Sequence, residues 1–206
     1  MKINNDSNTE KSILEAAERL FLQKGFSLTS TTAIGKEAGC NQALVHYYFR
    51  TKERLFEAVF ENKFRLFVSG LVQKVDSGLS FEEKLRTAIE AHYDMLAANP
   101  GIPFLIFNEL TTNPRRLENF KSRIRELPVT VLKQFQKELE EEIKKGKVRP
   151  VAPVDLLLTI ISMNVSLFLV GPVIKTALDL SERDYKKLLE SRRSENVAVI
   201  LRSLRP

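Results

Sequence analysis

The chain has 206 residues, 43% hydrophobic and 28% charged, with only eight glycines and eight prolines, a globular composition that excludes wholesale disorder. The formal net charge of +6 invites a nucleic-acid partner, yet residues 1–60 carry eight basic against seven acidic side chains and the surplus sits mostly between Arg115 and Arg149. A single cysteine, Cys40, excludes an internal disulfide and fits a reducing compartment, and Met1–Ser12 lacks the apolar core of a secretion signal, so a cytoplasmic location is expected.

Strand signals are nearly absent and helix signals recur along the chain, so the fold class is all-α, with about nine helices. The first helix is expected over about Thr9–Lys24, where Ile13, Ala17, Leu20 and Phe21 form one stripe, with Gly25 closing it and Phe26 as its apolar partner. Ser30 is the N-cap of a second helix, about Thr31–Ala38, which Gly39 ends. Asn41 caps a third, about Gln42–Phe49, and Lys52 opens a fourth that runs to about Val75. Further on, Ser80 caps a helix over about Phe81–Ala98, a short one holds Phe104 to Leu110, and a long segment from Arg115 to Lys145 is expected to kink near Pro128. Pro153 starts a helix ending near Val170, before Gly171-Pro172, and the last covers about Tyr185–Leu204. The front helices are expected to form one domain (residues 1–55) and the rest a larger bundle (56–206).

Two short helices joined by a three-residue turn, with a longer helix behind them, is the layout of a helix-turn-helix, which aims its second helix into the DNA major groove. That helix presents Gln42, Ala43 and His46 near its N-terminus; glutamine can pair bidentately with adenine, and alanine can touch a thymine methyl. Val45 and Phe49 face the other way as anchors, and Gly35 and Ala38 are small enough for a close helix crossing. The Ser30, Thr31 and Thr32 hydroxyls at one helix start, with Tyr47, Tyr48 and Lys52 near the next, are placed to position phosphates. Each residue also has a plain structural reading: core aromatics for Tyr47, Tyr48 and Phe49, a solvated helix start for Lys52, a small buried turn residue for Cys40. The joint spacing carries the DNA reading.

That spacing resembles the TetR (tetracycline-repressor-like) family of bacterial transcription regulators. The matching residues are Gly25-Phe26, Thr29-Ser30, Ile34, Ala38-Gly39 and His46-Tyr47-Tyr48-Phe49 followed by Thr51-Lys52-Glu53 and Leu55. The resemblance implies that Thr32, Gln42, Ala43 and His46 face bases, and that Ser30, Thr31, Leu44, Tyr47, Tyr48 and Lys52 lie at or near phosphates. This chain departs from the family at His46, where tyrosine is usual, at Gly35, where alanine is usual and glycine should loosen the second helix, and at Cys40-Asn41, where Val-Ser is common.

The resemblance further implies a homodimer formed by the last two helices, with Leu156, Ile160, Leu167, Val197, Ile200, Leu201 and Leu204 as interface residues, bound to a palindromic operator. It also implies a pocket for a small effector in the second domain. Candidate wall residues are Phe64, Phe67, His92, Tyr93, Leu96, Phe104, Phe107, Asn108, Met163, Asn164 and Phe168, where buried polar groups such as His92 and Asn164 would orient a largely apolar ligand. The expected partners are thus double-stranded DNA, an effector and a second copy, with repression released by the effector.

Only two histidines exist, far apart, and no catalytic pair, metal-ligand spacing or phosphate-binding glycine loop is visible, so no catalytic residue, metal or cofactor is expected. Residues 156–174 are free of charge and long enough to span a membrane, but Ser162, Asn164 and Ser166 near the middle favour a buried helix at a subunit interface. Two rival readings remain at this stage: a helical ligand-binding or scaffold protein that does not bind DNA, and a membrane-surface protein using the basic Arg115–Arg149 stretch.

Overall fold

The computed structural model of the chain describes residues 3–69, 78–115, 117–118 and 129–206, and within them it is helical with no strand. Nine helices are described: α1 (Ile3–Lys24), α2 (Thr31–Glu37), α3 (Gln42–Phe49), α4 (Lys52–Ser69), α5 (Phe81–Ala98), α6 (Ile102–Thr112), α7 (Val129–Lys144), α8 (Pro153–Ala177) and α9 (Glu182–Ser203). The expected end of the fourth helix near Val75 and the kink near Pro128 lie outside the described residues. Contacts divide the chain into two compact units, residues 1–65 with 105–108, and residues 66–104 with 109–206. The division falls inside α4, later than the boundary at residue 55 read from the sequence.

In the first unit α1 stops where Gly25 takes φ +74°, a backbone state that carries no steric cost for glycine, and its N–H donates to the Phe21 carbonyl at 2.9 Å. Phe26 then packs on Phe21 and Phe56, with ring centroids 6.0 and 5.1 Å away. The core joins Ile13, Ala16, Ala17, Leu20 and Phe21 of α1 to Ile34 of α2, Val45 of α3, Leu55, Phe56 and Val59 of α4, and Leu105 of α6. Phe21, Phe56, Ile13, Ile34 and Leu55 are fully buried, each contributing about 1.5–3 kcal/mol by burial.

In the second unit the Ser80 hydroxyl accepts the Glu83 N–H while the Glu83 carboxylate accepts the Ser80 N–H, a reciprocal box that starts α5. The core sets Leu85 and Ile89 of α5 against Leu139 of α7, Leu156 and Ile160 of α8, and Val197, Ile200 and Leu204 at the end of the chain. α8 does not stop near Val170 as its Gly171-Pro172 pair suggests; it runs on to Ala177. Pro172 has no N–H to continue the ladder, but the helix is held there by a neighbour: the Tyr185 hydroxyl donates to the Leu167 carbonyl at 3.2 Å. Gly171 is buried and leaves the space this needs, since a Cβ at that position would overlap the Tyr185 hydroxyl. α9 begins earlier than expected, at Glu182, because Ser181 caps it through the Asp184 N–H at 3.1 Å.

Candidate DNA-reading surface and buried polar core

The two short helices are set by local chemistry. The Ser30 hydroxyl accepts the Ala33 N–H at 3.1 Å, and the Asn41 side-chain oxygen Oδ1 accepts the Leu44 N–H at 2.9 Å. Between them the turn folds back so tightly that a Cβ on Gly35 would lie 3.0 Å from the Cys40 carbonyl oxygen. Glycine at 35 relieves that close approach, where the alanine usual in the family would make the turn give by a few tenths of an ångström.

α3 lies with one face against the core and the other in solvent. Val45 is buried and Tyr48 and Phe49 pack at the core edge, while Gln42, Ala43, Leu44, His46 and Tyr47 are exposed, Tyr47 to 62%. The exposed polar groups form one connected chain. Thr32 donates to Gln42 Oε1 at 3.0 Å, and Gln42 Nε2 donates to Thr31 Oγ1 at 3.0 Å and contacts His46 Nε2 at 3.2 Å. His46 Nδ1 lies 3.1 Å from the Arg50 carbonyl oxygen, which can only accept, so Nδ1 carries the proton and bare Nε2 accepts from Gln42. The glutamine amide is thereby held at the helix tip in a fixed orientation before any base arrives.

That last bond also braces a strained turn. Arg50 takes φ 63°, ψ −55°, and the Thr51 N–H donates to the Phe49 carbonyl at 2.7 Å, which is a γ-turn of the less favourable hand. Histidine at 46, the departure from the usual tyrosine, ties that turn to α3. Sequence reading missed Arg50, because nothing in its residue type signals positive φ.

Lys52 sits differently from the free phosphate clamp expected of it. Its ammonium donates to the Phe26 and Thr29 carbonyls, both at 3.0 Å, and lies 4.2 Å from the Phe26 ring centroid. Two of its three N–H bonds thus pin the loop before α2. Thr29 is buried beneath it, its hydroxyl donating to the Gly25 carbonyl at 2.8 Å.

The expected effector residues divide between the units. Phe64, Phe107 and Asn108 belong to the first; Phe67, His92, Tyr93, Leu96, Phe104, Met163, Asn164 and Phe168 belong to the second. Phe104 and Phe107 are 58% and 44% exposed. Phe67 meets the His92 ring edge-on at 5.4 Å, Asn164 faces His92, and Tyr93 meets Phe168 at 5.4 Å. The Tyr93 hydroxyl is already engaged, donating to the Leu189 carbonyl at 2.7 Å, and burial pushes its pKa up to about 12.

His92, Asn164 and Asn196 are fully buried and linked. Arg192 donates to Asn196 Oδ1 at 2.6 Å; Asn196 Nδ2 donates to the Met163 carbonyl at 2.9 Å and to Asn164 Oδ1 at 3.0 Å. Asn164 Nδ2 donates to the Ile89 carbonyl at 2.9 Å and faces His92 Nδ1 at 3.2 Å. Asn196 and Arg192 were not singled out from sequence, although an asparagine beside the α9 apolar stripe is the kind of signal that could have marked the former.

Burial holds the His92 pKa at about 4, down from 6.5. Between those values the unfolded chain binds a proton that the folded chain does not. Folding stability contributed by His92 is therefore fully present above pH 6.5 and falls as pH drops toward 4, by about 3 kcal/mol at 1.36 kcal/mol per unit. Denaturant titrations at pH 4.5 and 7 should show a smaller pH difference for His92→Gln than for the wild type; equal differences would contradict a neutral buried imidazole.

The residues expected at an interface lie mostly in the chain's own core. Leu156, Ile160, Val197, Ile200 and Leu204 are buried inside the chain's own core, and half-buried Leu201 packs against it; Leu167 is half-buried. The apolar side chains that α8 leaves in solvent lie on the opposite stripe: Val154, Leu158, Val170 and Val173. Among the described residues α8 is the helix long and apolar enough to cross a membrane; 28% of its most apolar stretch is buried, on a face that carries Asn164 and meets α5 and α9. No group of three or more His, Cys, Asp or Glu placed to hold a metal occurs among the described residues.

Comparison with known proteins agrees with this geometry. Residues 13–59 match the family described as "Bacterial regulatory proteins, tetR family", and residues 82–200 match "Tetracyclin repressor-like, C-terminal domain". The chain is 24% identical over 137 residues to the fatty acid metabolism regulator protein of Bacillus subtilis, covering 66% of this chain and 69% of that one. It is 28% identical over 104 residues to the transcriptional activator FasR of Mycolicibacterium smegmatis, covering 50% of this chain and 48% of that one. In fold it is similar to a TetR-family transcriptional regulator from Haemophilus influenzae (TM-score 0.61, 20% identity, 94% and 98% of the two chains). It is also similar to HlyIIR, a hemolysin II transcriptional regulator (TM-score 0.57, 24% identity, 98% and 99%). These relatives are regulators and not enzymes, and family members bind DNA and small-molecule effectors as dimers. With an exposed α3 in one unit and a helical bundle in the other, the chain belongs to the TetR family of DNA-binding transcriptional regulators.

Proposed function

We propose that this protein is a cytoplasmic repressor that binds a palindromic operator as a homodimer and is released by a small, largely apolar effector held in its second unit. The observation that carries the proposal is the solvent face of α3, where the Gln42 amide is already fixed by Thr31, Thr32 and His46. To read an adenine edge bidentately, this amide exchanges one of its two Nε2 bonds, to Thr31 or to His46, for the base. Ala43 and His46 stand beside it for bases; Ser30, Thr31, Leu44, Tyr47 and Tyr48 ring it at the height of the phosphates. Lys52 acts mainly by holding the loop that presents Ser30 and Thr31.

The outward face, apolar at Val154 and Leu158 and again at Val170 and Val173 with Thr159, Ser162 and Ser166 between, supports pairing with a second copy, since exposed apolar patches cost free energy in water. The aromatic and amide cluster around His92 supports an effector with an apolar body. Such a ligand weakens operator binding by no more than its own preference for the non-binding arrangement of the two heads. The fatty-acid connection in a relative's name makes acyl compounds the first effectors to screen.

Selection of bound fragments from random DNA tests the reading. The expected result is an inverted repeat whose half-sites lie one helical turn, or a multiple of it, apart. Recovery of unrelated fragments would instead favour a helical scaffold that keeps the shape without the activity.

A further inference from the structure

The buried polar chain around Asn164 has a direction. Asn196 Nδ2 and Asn164 Nδ2 must each be donors, because each faces a backbone carbonyl, that of Met163 and that of Ile89 respectively. The second hydrogen of Asn164 Nδ2 then points at His92 Nδ1, so Nδ1 accepts and Nε2 carries the ring proton. His92 is fully buried, and Nε2 is the one buried side-chain nitrogen or oxygen without a hydrogen-bond partner among the described residues. A buried donor left unpaired costs about 1–3 kcal/mol, more than most packing errors of its size.

From this we infer that His92 Nε2–H is the orienting donor for the effector, and that the effector presents an uncharged carbonyl-type oxygen on an apolar body. The inference rests on the effector reading above and names the chemistry of that site. Phe67 lays aromatic surface against the His92 ring, Tyr93 and Phe168 form a second aromatic pair on the two helices that carry His92 and Asn164, and the Tyr93 hydroxyl is occupied by Leu189. Among the described residues the cation tied to this network is Arg192, at its far end on Asn196, so no described cation beside His92 compensates a carboxylate. A ketone, ester or amide oxygen satisfies the donor without bringing charge into the core. Burial keeps the imidazole uncharged at neutral pH, which preserves this donor pattern.

The test uses the full-length dimer with 15N-labelled histidine rings. The chain has two histidines, His46 and His92, with opposite ring tautomers, so their ring signals are separable. The probes are matched pairs differing only in the oxygen: 4-phenyl-2-butanone against butylbenzene, and 2-dodecanone against dodecane. The expected result is a shift of the His92 Nε2–H signal by a ketone but not its hydrocarbon, with the ketone bound about tenfold more tightly. His92→Phe should bind both members of the pair equally, and His92→Gln, which restores an N–H, should recover part of the preference. A merely structural role for His92 would change stability in these variants without changing the ratio. A ring signal unmoved by all four probes, or one that cross-relaxes with a long-lived water throughout, overturns the inference. Operator retardation measured on the same samples keeps the two readings apart: loss of DNA binding by the wild type would strike the repressor reading, and an unmoved His92 signal with intact retardation strikes this one alone.

Discussion

Asn164→Ala should lower folding stability by about 3 kcal/mol and the melting temperature by about 10 °C. Asn164 is fully buried, donates to Ile89 and His92 and accepts from Asn196. Its removal leaves the Ile89 carbonyl to its helical bond alone and strands His92 Nδ1 and one Asn196 N–H away from water. The cavity adds to the loss. Asn164→Leu, which fills the space without restoring the bonds, should still cost about 2 kcal/mol, because the partners remain. Urea unfolding at one fixed protein concentration measures both. A Leu variant as stable as the wild type would mean that the network contributes nothing beyond volume.

Leu158→Arg combined with Val173→Arg should give a folded monomer with operator affinity reduced at least about 100-fold. Leu158 and Val173 are 55% and 66% exposed and are not among the buried core residues, so the chain itself should tolerate arginine there. In a symmetric interface each substitution occurs twice and sets like charges against apolar surface, a cost of several kcal/mol. A monomer holds only one half-site and loses the gain from joining two. Sedimentation and retardation on the selected operator give the two readouts. A variant that remains dimeric would move the interface away from this stripe.

How far the sequence reveals these features differs by element. The bounds of α3 and the caps at Ser30, Asn41 and Ser80 are readable because each depends on a few neighbouring residues with one strong local preference. The outward face of α8 is not readable, since this helix is apolar nearly all round and its periodicity does not choose a side. Leu156 and Ile160 look as suited to an interface as Val154 and Leu158, and only the packing of α5 and α9 assigns them. The continuation of α8 past Pro172 depends on Tyr185, a residue from the next helix. Lys52 illustrates the same limit at the DNA surface. Its residue type suggests a phosphate contact, but its partners are two carbonyls of a loop that is distant in sequence. The polar type and register of Gln42 point to solvent, while its ties to Thr31, Thr32 and His46 depend on the relative setting of α2 and α3.

The most direct measurement is retardation of the selected palindrome by wild type and Gln42→Ala across a salt series. Gln42 is exposed, so the variant should keep its helical circular dichroism and melting temperature. A lost bidentate base contact is worth about 1–3 kcal/mol per half-site, so affinity should fall by about 100-fold in the dimer. The salt slope should stay the same, because no phosphate contact has been removed. Equal affinities for the two proteins, or a loss confined to the salt slope, would contradict α3 as the element that reads the operator.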